Sequence, residues 1–261
     1  MTHSPVAAWR EIPEETADAS VADLYAEIRQ CLGTSHVPTL YRVVAAYGYL
    51  EEFWRLLKPL LQSSEADQFV VDARDIGTDL ADQVGGAPVV LDDDLRSKVI
   101  EVLESFNRGN PRNFLFSTAG RRLLEFEATT GDVTWQLTPE AEGASAAGLE
   151  PVWNDIRRAH GSAAIPGFYR ALGAWPDALR PLWAAAKPVL ARAELDEARI
   201  RLTTACRRIV EAYPARQASR SSTSADLASM LEWFVWANPT AILEIEYLRA
   251  QVAGSRSQGE R

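Results

Sequence analysis

Val37-Pro38-Thr39-Leu40-Tyr41-Arg42 recurs as Ile165-Pro166-Gly167-Phe168-Tyr169-Arg170, with Tyr41 and Tyr169 separated by 128 residues. Working outward, Phe53-Trp54 and Lys58-Pro59 return as Leu182-Trp183 and Lys187-Pro188. Upstream, Leu24-Tyr25, Ile28-Arg29 and Gly33 return as Val152-Trp153, Ile156-Arg157 and Gly161. Downstream, Leu103-Glu104, Phe106 and Asn110-Pro111 return as Leu231-Glu232, Phe234 and Asn238-Pro239. Four blocks keep their order and almost the same offset, so the chain is an internal duplication.

The segments between these marks carry helical periodicity. Leu24, Tyr25, Ile28 and Leu32 share one face of a predicted helix over 22–32, and Gly33 offers its C-cap. Leu50, Phe53, Trp54, Leu57 and Leu61 do the same over 49–61. Ser64 is the expected N-cap of the next helix, with Asp67 as capping-box partner. Asp92-Asp93-Asp94 precedes another apolar stripe, and acidic residues at a helix start complement its macrodipole. Asn110-Pro111 and Asn238-Pro239 each read as an N-cap followed by Pro at the first helical position. Strand signals are confined to 88–91 and 133–137, outside the repeated blocks.

The expected fold is therefore all-α, two homologous helical repeats packed as an intramolecular pseudo-dimer that shares one core. The repeats are placed at 18–128 and 149–252, joined by a linker over 129–148 that ends in Gly143-Ala144-Ser145-Ala146-Ala147-Gly148. A polar tail over 253–261 is expected to be disordered.

Hydrophobic residues make up 47% of the 261, enough for a sizeable core, and eight Trp and eight Phe supply it with rings. A net charge of −9 argues against nucleic acid or an anionic membrane as partner. No run of ~18 uncharged apolar residues is present to span a bilayer. Met1 to Ala8 does not have the pattern of a secretory signal. Cys31 and Cys206 lie in different halves without a CxxC, which points to a reduced, cytoplasmic chain without a metal site. A homodimer is compatible with the pattern.

Motifs of nucleotide and metal chemistry are absent: no GxGxxG, P-loop or HExxH is found. Of the three histidines, His3 falls at the terminus and His36 and His160 in loops before the repeated blocks, where solvated side chains are expected. What both copies share is polar equipment in apolar surroundings: Tyr41 and Tyr169, Arg42 and Arg170, Asn110 and Asn238. An Arg binds a carboxylate bidentately, so a small carboxylate-bearing molecule is the expected ligand, although ion pairing within the protein is the competing use of Arg42 and Arg170. Tyr41 and Tyr169 either point a hydroxyl into a cavity or pack with it satisfied. Trp54, Trp183, Trp233 and Trp236 read as core.

At these Pro-x-x-Tyr-Arg, Trp-x-x-x-Lys-Pro and Asn-Pro blocks the chain resembles the group I 2-haloacid dehalogenases, also called halocarboxylic acid dehydrogenase-like proteins, over roughly 18–252. The resemblance implies an all-α pair of repeats around a buried site and a reaction without metal or organic cofactor. In such enzymes an Asp activates the water that displaces halide with inversion, and an Asn helps to hold it. The Asn carries over to Asn110 as the catalytic residue, with Asn113 close by as the alternative. Tyr41, Arg42, Asn113, Phe168, Tyr169, Arg170 and Asn238 would then line the substrate. The Asp is expected just ahead of the second Tyr-Arg, where this chain has Gly167-Phe168, and no carboxylate stands between Gly161 and Trp175. Glu244, Glu246 and Tyr247 on the last predicted helix are the groups that could supply a base from elsewhere. Phe168 makes that position apolar, which is the pattern of a catalytically silent binding protein on the same scaffold; a helical interaction module is the third reading.

Overall fold

The structure is a computed structural model and describes residues 10–124, 148–162, 164–214 and 225–253. Ten α-helices follow one another among the described residues: α1 (Ala19–Leu32), α2 (Thr39–Ala46), α3 (Leu50–Leu61), α4 (Ser64–Val84), α5 (Asp93–Leu123), α6 (Glu150–His160), α7 (Gly167–Leu172), α8 (Pro176–Ala186), α9 (Ala193–Ala212) and α10 (Ala225–Ala253). No strand occurs among the described residues, so the fold class is all-α as the periodicity predicts. Residues 88–91 form unpaired loop, with the Val89 N–H donating to the Gln251 carbonyl at 3.2 Å. The linker up to residue 147, the 133–137 segment and the tail from 254 lie outside the described residues; Ala253 itself closes α10.

Local chemistry explains most boundaries. Asp18 caps α1 by accepting the Val21 N–H, and Gly33 ends it in the left-handed conformation at φ 65°, returning its N–H to the Arg29 carbonyl. Gly161 repeats this ending after α6 at φ 60°. Asp92 caps α5 by accepting the Leu95 N–H at 2.8 Å. The cap of α4 lies one residue earlier than expected: Ser63 Oγ, not Ser64, accepts the Ala66 N–H at 3.2 Å.

The Asn-Pro pairs correct a second expectation. Asn110 and Asn238 are not N-caps, because α5 and α10 run through Pro111 and Pro239 without a break. A proline there removes one i→i−4 bond, and each helix continues because its flanking turns are held by packing. Phe114, Leu115 and Phe116 after Pro111, and Ile242, Leu243 and Ile245 after Pro239, are all buried.

The chain forms two compact units, and neither coincides with one sequence repeat. The first takes residues 10–70, 108–124, 204–214 and 225–238; the second takes 71–107, 148–203 and 239–253. Each of the four long helices α4, α5, α9 and α10 therefore contributes to both. In the first unit, α1–α3 close over Tyr25, Ile28, Phe53, Trp54 and Leu57. Segments of the second repeat join them: Tyr213 Oη donates to the Leu56 carbonyl at 2.9 Å, and Arg121 pairs with Glu232. A Cβ at Gly120 would lie 3.0 Å from the Phe53 ring and 3.6 Å from Leu231.

In the second unit, α6–α8 pack around Trp153, Ile156, Leu179, Leu182 and Trp183. Here the first repeat joins the second: Arg201 pairs with Asp79 at 2.9 Å, and Tyr247 Oη donates to the Gly85 carbonyl at 3.2 Å. Both units thus draw their core from both copies of the duplicated sequence. Trp236 departs from the core expectation, with 46% of its surface exposed. Among the described residues no helix is long and apolar enough to cross a membrane.

Candidate functional site

The paired tyrosines are both buried, and their surroundings differ. In the first unit Tyr41, on α2, packs at a tilt of 51° against Phe116 of α5 with ring centroids 4.6 Å apart and meets the edge of Trp54 at 6.1 Å. Its hydroxyl has no hydrogen-bond partner among the described residues. In the second unit Tyr169, on α7, packs edge-on to Trp183 at 5.5 Å, but its hydroxyl donates to Glu244 Oε1 on α10 at 2.9 Å. Phe116 and Glu244 hold the same place in the two copies, 128 residues apart. Burial and the neighbouring carboxylate both hold the Tyr169 hydroxyl well above its ordinary pKa, so it is a donor and not a phenolate.

His160 completes this cluster. Sequence placed it in a solvated loop; it is the last residue of α6, and only 8% of its side chain is exposed. Its Nε2 lies 3.4 Å from Glu244 Oε1 without a hydrogen bond between them. The imidazole stacks on Trp183 at 6.1 Å and 27°, and meets the Tyr169 ring at 6.0 Å. Glu244 is 1% exposed, and its second oxygen, Oε2, has no hydrogen-bond partner among the described residues.

Trp183 is itself fixed by a device that both copies contain. Its indole N–H donates to Asp155 Oδ2 at 2.8 Å, and Lys187 Nζ reaches the same oxygen at 2.8 Å. In the first unit the Trp54 indole donates to Glu27 at 3.0 Å and Lys58 donates to it at 2.6 Å. The repeated Trp and Lys are visible in the sequence; the carboxylates that join them escaped notice, although Glu27 and Asp155 keep the same 128-residue offset. Each carboxyl pKa lies below its ordinary value, chiefly through the lysine hydrogen bond.

Glu246, two residues beyond Glu244, is also buried, but it is fully engaged. Asn107 donates to its Oε1, Arg74 Nε stands 3.9 Å from that oxygen, and Arg249 Nε donates to Oε2 at 2.8 Å. Glu104 closes the ring, 3.4 Å from Arg74 and 3.6 Å from Arg249. These four charges balance within one network, which suits a structural lock between the repeats.

The predicted site residues divide between the units. Tyr41, Arg42, Asn110, Asn113 and Asn238 fall in the first; Phe168, Tyr169 and Arg170 fall in the second. In the first, Asn113 Nδ2 donates to Asn110 Oδ1 at 3.3 Å, and Asn238 Nδ2 donates to Ser117 Oγ at 3.4 Å. The buried Asn113 Oδ1 has no hydrogen-bond partner among the described residues. Arg42 is taken up by Glu11, with Nε 3.1 Å from Oε2, and by Thr39 Oγ1 at 3.1 Å. In the second, Phe168 is 1% exposed and lies between Tyr169 at 4.0 Å and Phe106 at 6.4 Å, with half-buried Arg170 next in sequence. A separate open cavity of about 550 Å3, between the loop 85–90 and Pro181, Pro188 and Tyr247, contains none of the predicted residues.

Comparison with known proteins agrees with the resemblance carried by the repeated blocks. The chain is 25% identical, over an alignment of 281 residues, to an (R)-2-haloacid dehalogenase of Pseudomonas putida, covering 93% of this chain and 92% of that protein. It has the fold of a D-2-haloacid dehalogenase mutant solved with D-2-CPA, at a TM-score of 0.81, 22% identity and coverage of 94% and 96% of the two chains. A D-2-haloacid dehalogenase solved with L-LA superposes at a TM-score of 0.80, with 22% identity and 97% and 99% covered. No family model matches.

Proposed function

We propose that this chain, similar along nearly its whole length to an (R)-2-haloacid dehalogenase, is a cofactor-free enzyme that acts on a small 2-substituted carboxylic acid. The observation that carries this reading is the set of buried polar atoms left open at the predicted positions. Tyr41 Oη and Asn113 Oδ1 are enclosed by the fold and lack a partner among the described residues. Buried polar atoms are nearly always satisfied, and an exception calls for a partner such as an ordered water, an ion or a ligand. Asn110 and Asn113 form an amide pair able to hold a water or a substrate oxygen. Asn238 supplies a further hydrogen-bonding group in the first unit, and Tyr169 one in the second. Phe168 gives the C2 substituent an apolar wall. The duplicated chain is read as a pseudo-dimer. Two free cysteines suit a reducing cytoplasm.

Hydrolysis is the favoured chemistry. Water displaces halide from C2, giving the 2-hydroxy acid, a halide ion and a proton. The test is halide release from D- and L-2-chloropropionate by the purified chain; a folded protein that releases none from either enantiomer would remove the enzymatic reading.

A second reading has its own observation. Phe168 is buried where the resemblance implies the water-activating Asp, which suits a silent binding protein on the same scaffold. Small carboxylates would then raise the melting point without being turned over. Phe168→Asp separates the two: halide release that begins only in this variant identifies a retained site without its base.

A further inference from the structure

Two buried carboxylates face the interior of the second unit from α10, and their states differ. Both oxygens of Glu246 are engaged by Asn107, Arg74 and Arg249. Glu244 receives one hydrogen bond, from Tyr169, on Oε1; Oε2 receives none from the described residues. Ionised carboxylates have room for about four hydrogen bonds and are costly to enclose without them. The fold does not require an acid here, since the first copy holds Phe116 at the same position against Tyr41, the counterpart of Tyr169. An acid kept where a phenyl ring packs, with one oxygen open, serves a purpose other than packing.

We propose that Glu244 is the general base of this protein, and that Oε2 holds the water that attacks C2. The proposal rests on the enzymatic reading above and identifies the group that replaces the acid missing ahead of Tyr169. Oε2 accepts a proton from the water as its oxygen bonds to C2; the C2–halogen bond breaks, and halide leaves with the bonding pair. The proton on Glu244 then passes to His160, whose Nε2 stands 3.4 Å from Oε1, and on to solvent. Tyr169 acts as a positioning residue: its donation to Oε1 fixes the carboxylate plane and leaves Oε2 free. Trp183, held by Asp155 and Lys187, keeps the imidazole in place from its other side.

The experiment compares the full-length wild type with Glu244→Gln, which keeps the shape and removes the base. Halide release from 2-chloropropionate is expected to fall ~100-fold or more in kcat, with KM little changed and the melting point retained. Release within threefold of wild type overturns the proposal. A second readout does not depend on turnover. A 2-hydroxy acid has an O–H for Oε2 and the unsubstituted acid has none, so lactate should raise the wild-type melting point more than propionate does. That difference should vanish in Glu244→Gln. If the wild type releases no halide, the enzymatic reading fails, and the lactate–propionate difference still decides whether Oε2 meets the ligand. A difference that is absent from the wild type, or unchanged in the variant, overturns it. Should the Gln variant fail to fold, His160→Asn takes its place: a lower kcat at unchanged KM supports the proton route, and an unchanged kcat contradicts it.

Discussion

Tyr169 donates its hydroxyl to Glu244 at 2.9 Å, whereas Tyr41, its counterpart in the other copy, meets the ring of Phe116 and leaves its hydroxyl unpartnered among the described residues. One substitution between the copies, Phe against Glu, converts an apolar packing position into a buried acid.

That difference predicts opposite outcomes for one mutation made twice. Tyr169→Phe removes a buried hydrogen bond to a carboxylate and should cost about 1.5–3 kcal/mol of stability. Tyr41→Phe removes only an unpaired hydroxyl and should be neutral within about 0.5 kcal/mol, or stabilising. Urea denaturation of the two variants measures both; equal losses would mean that the environments do not differ as described.

Gly77 lets α4 pass Glu246 closely. A Cβ there would lie 2.4 Å from Glu246 Cβ, and flanking α4 cannot move without disturbing Arg74 and its ion pairs. Gly77→Ala should destabilise by about 1–3 kcal/mol through overpacking, despite the better helix propensity of alanine. Thermal or urea unfolding decides it, and a stabilised variant would refute the close approach.

The two Trp–carboxylate–Lys clamps make a pH-dependent contribution. The Glu27 and Asp155 carboxyls are lowered by their lysine partners, so their contribution is full above the ordinary carboxylate range near pH 4 and is lost as pH falls through the lowered values. Both are well solvated, and salt should weaken the effect. The double variant Glu27→Gln/Asp155→Asn should melt below wild type at pH 7, with the gap narrowing towards about pH 2. A gap that persists at the acid end would assign the effect to packing.

Burial pushes the Cys206 thiol up to about 12, and its hydrogen bond to Thr118 at 3.4 Å does not reverse this. A thiol reagent at pH 8 should therefore leave Cys206 unmodified in the native protein and label it after denaturation. Mass spectrometry of the labelled peptides reads the outcome, and native labelling at Cys206 would contradict its burial.

The helices were legible because they rest on local periodicity, and the paired tyrosines because residue types recur at one offset. The Asn-Pro pairs misled because a capping pattern depends on where the chain was before it. Buried residues on both sides of Pro111 and Pro239 keep α5 and α10 continuous, and those neighbours are assembled only by tertiary packing. His160 was hidden for a related reason. Its burial comes from Trp183, Tyr169 and Glu244, which lie 23, 9 and 84 positions away, so no spacing rule announces it. Glu244 was legible only as one of three candidates on the last helix, with Glu246 and Tyr247; the position where the two copies disagree, Phe116 against Glu244, singles it out.

The central claim, that water attacks C2 directly and no ester to the protein forms, is tested most directly by one turnover in 18O-labelled water. With enzyme in excess over 2-chloropropionate, the lactate formed should carry 18O from the first turnover. Lactate with an unlabelled hydroxyl in that turnover would show that a carboxylate of the protein had attacked C2 itself, and the absence of lactate would show that the chain does not hydrolyse the substrate; either result contradicts the account.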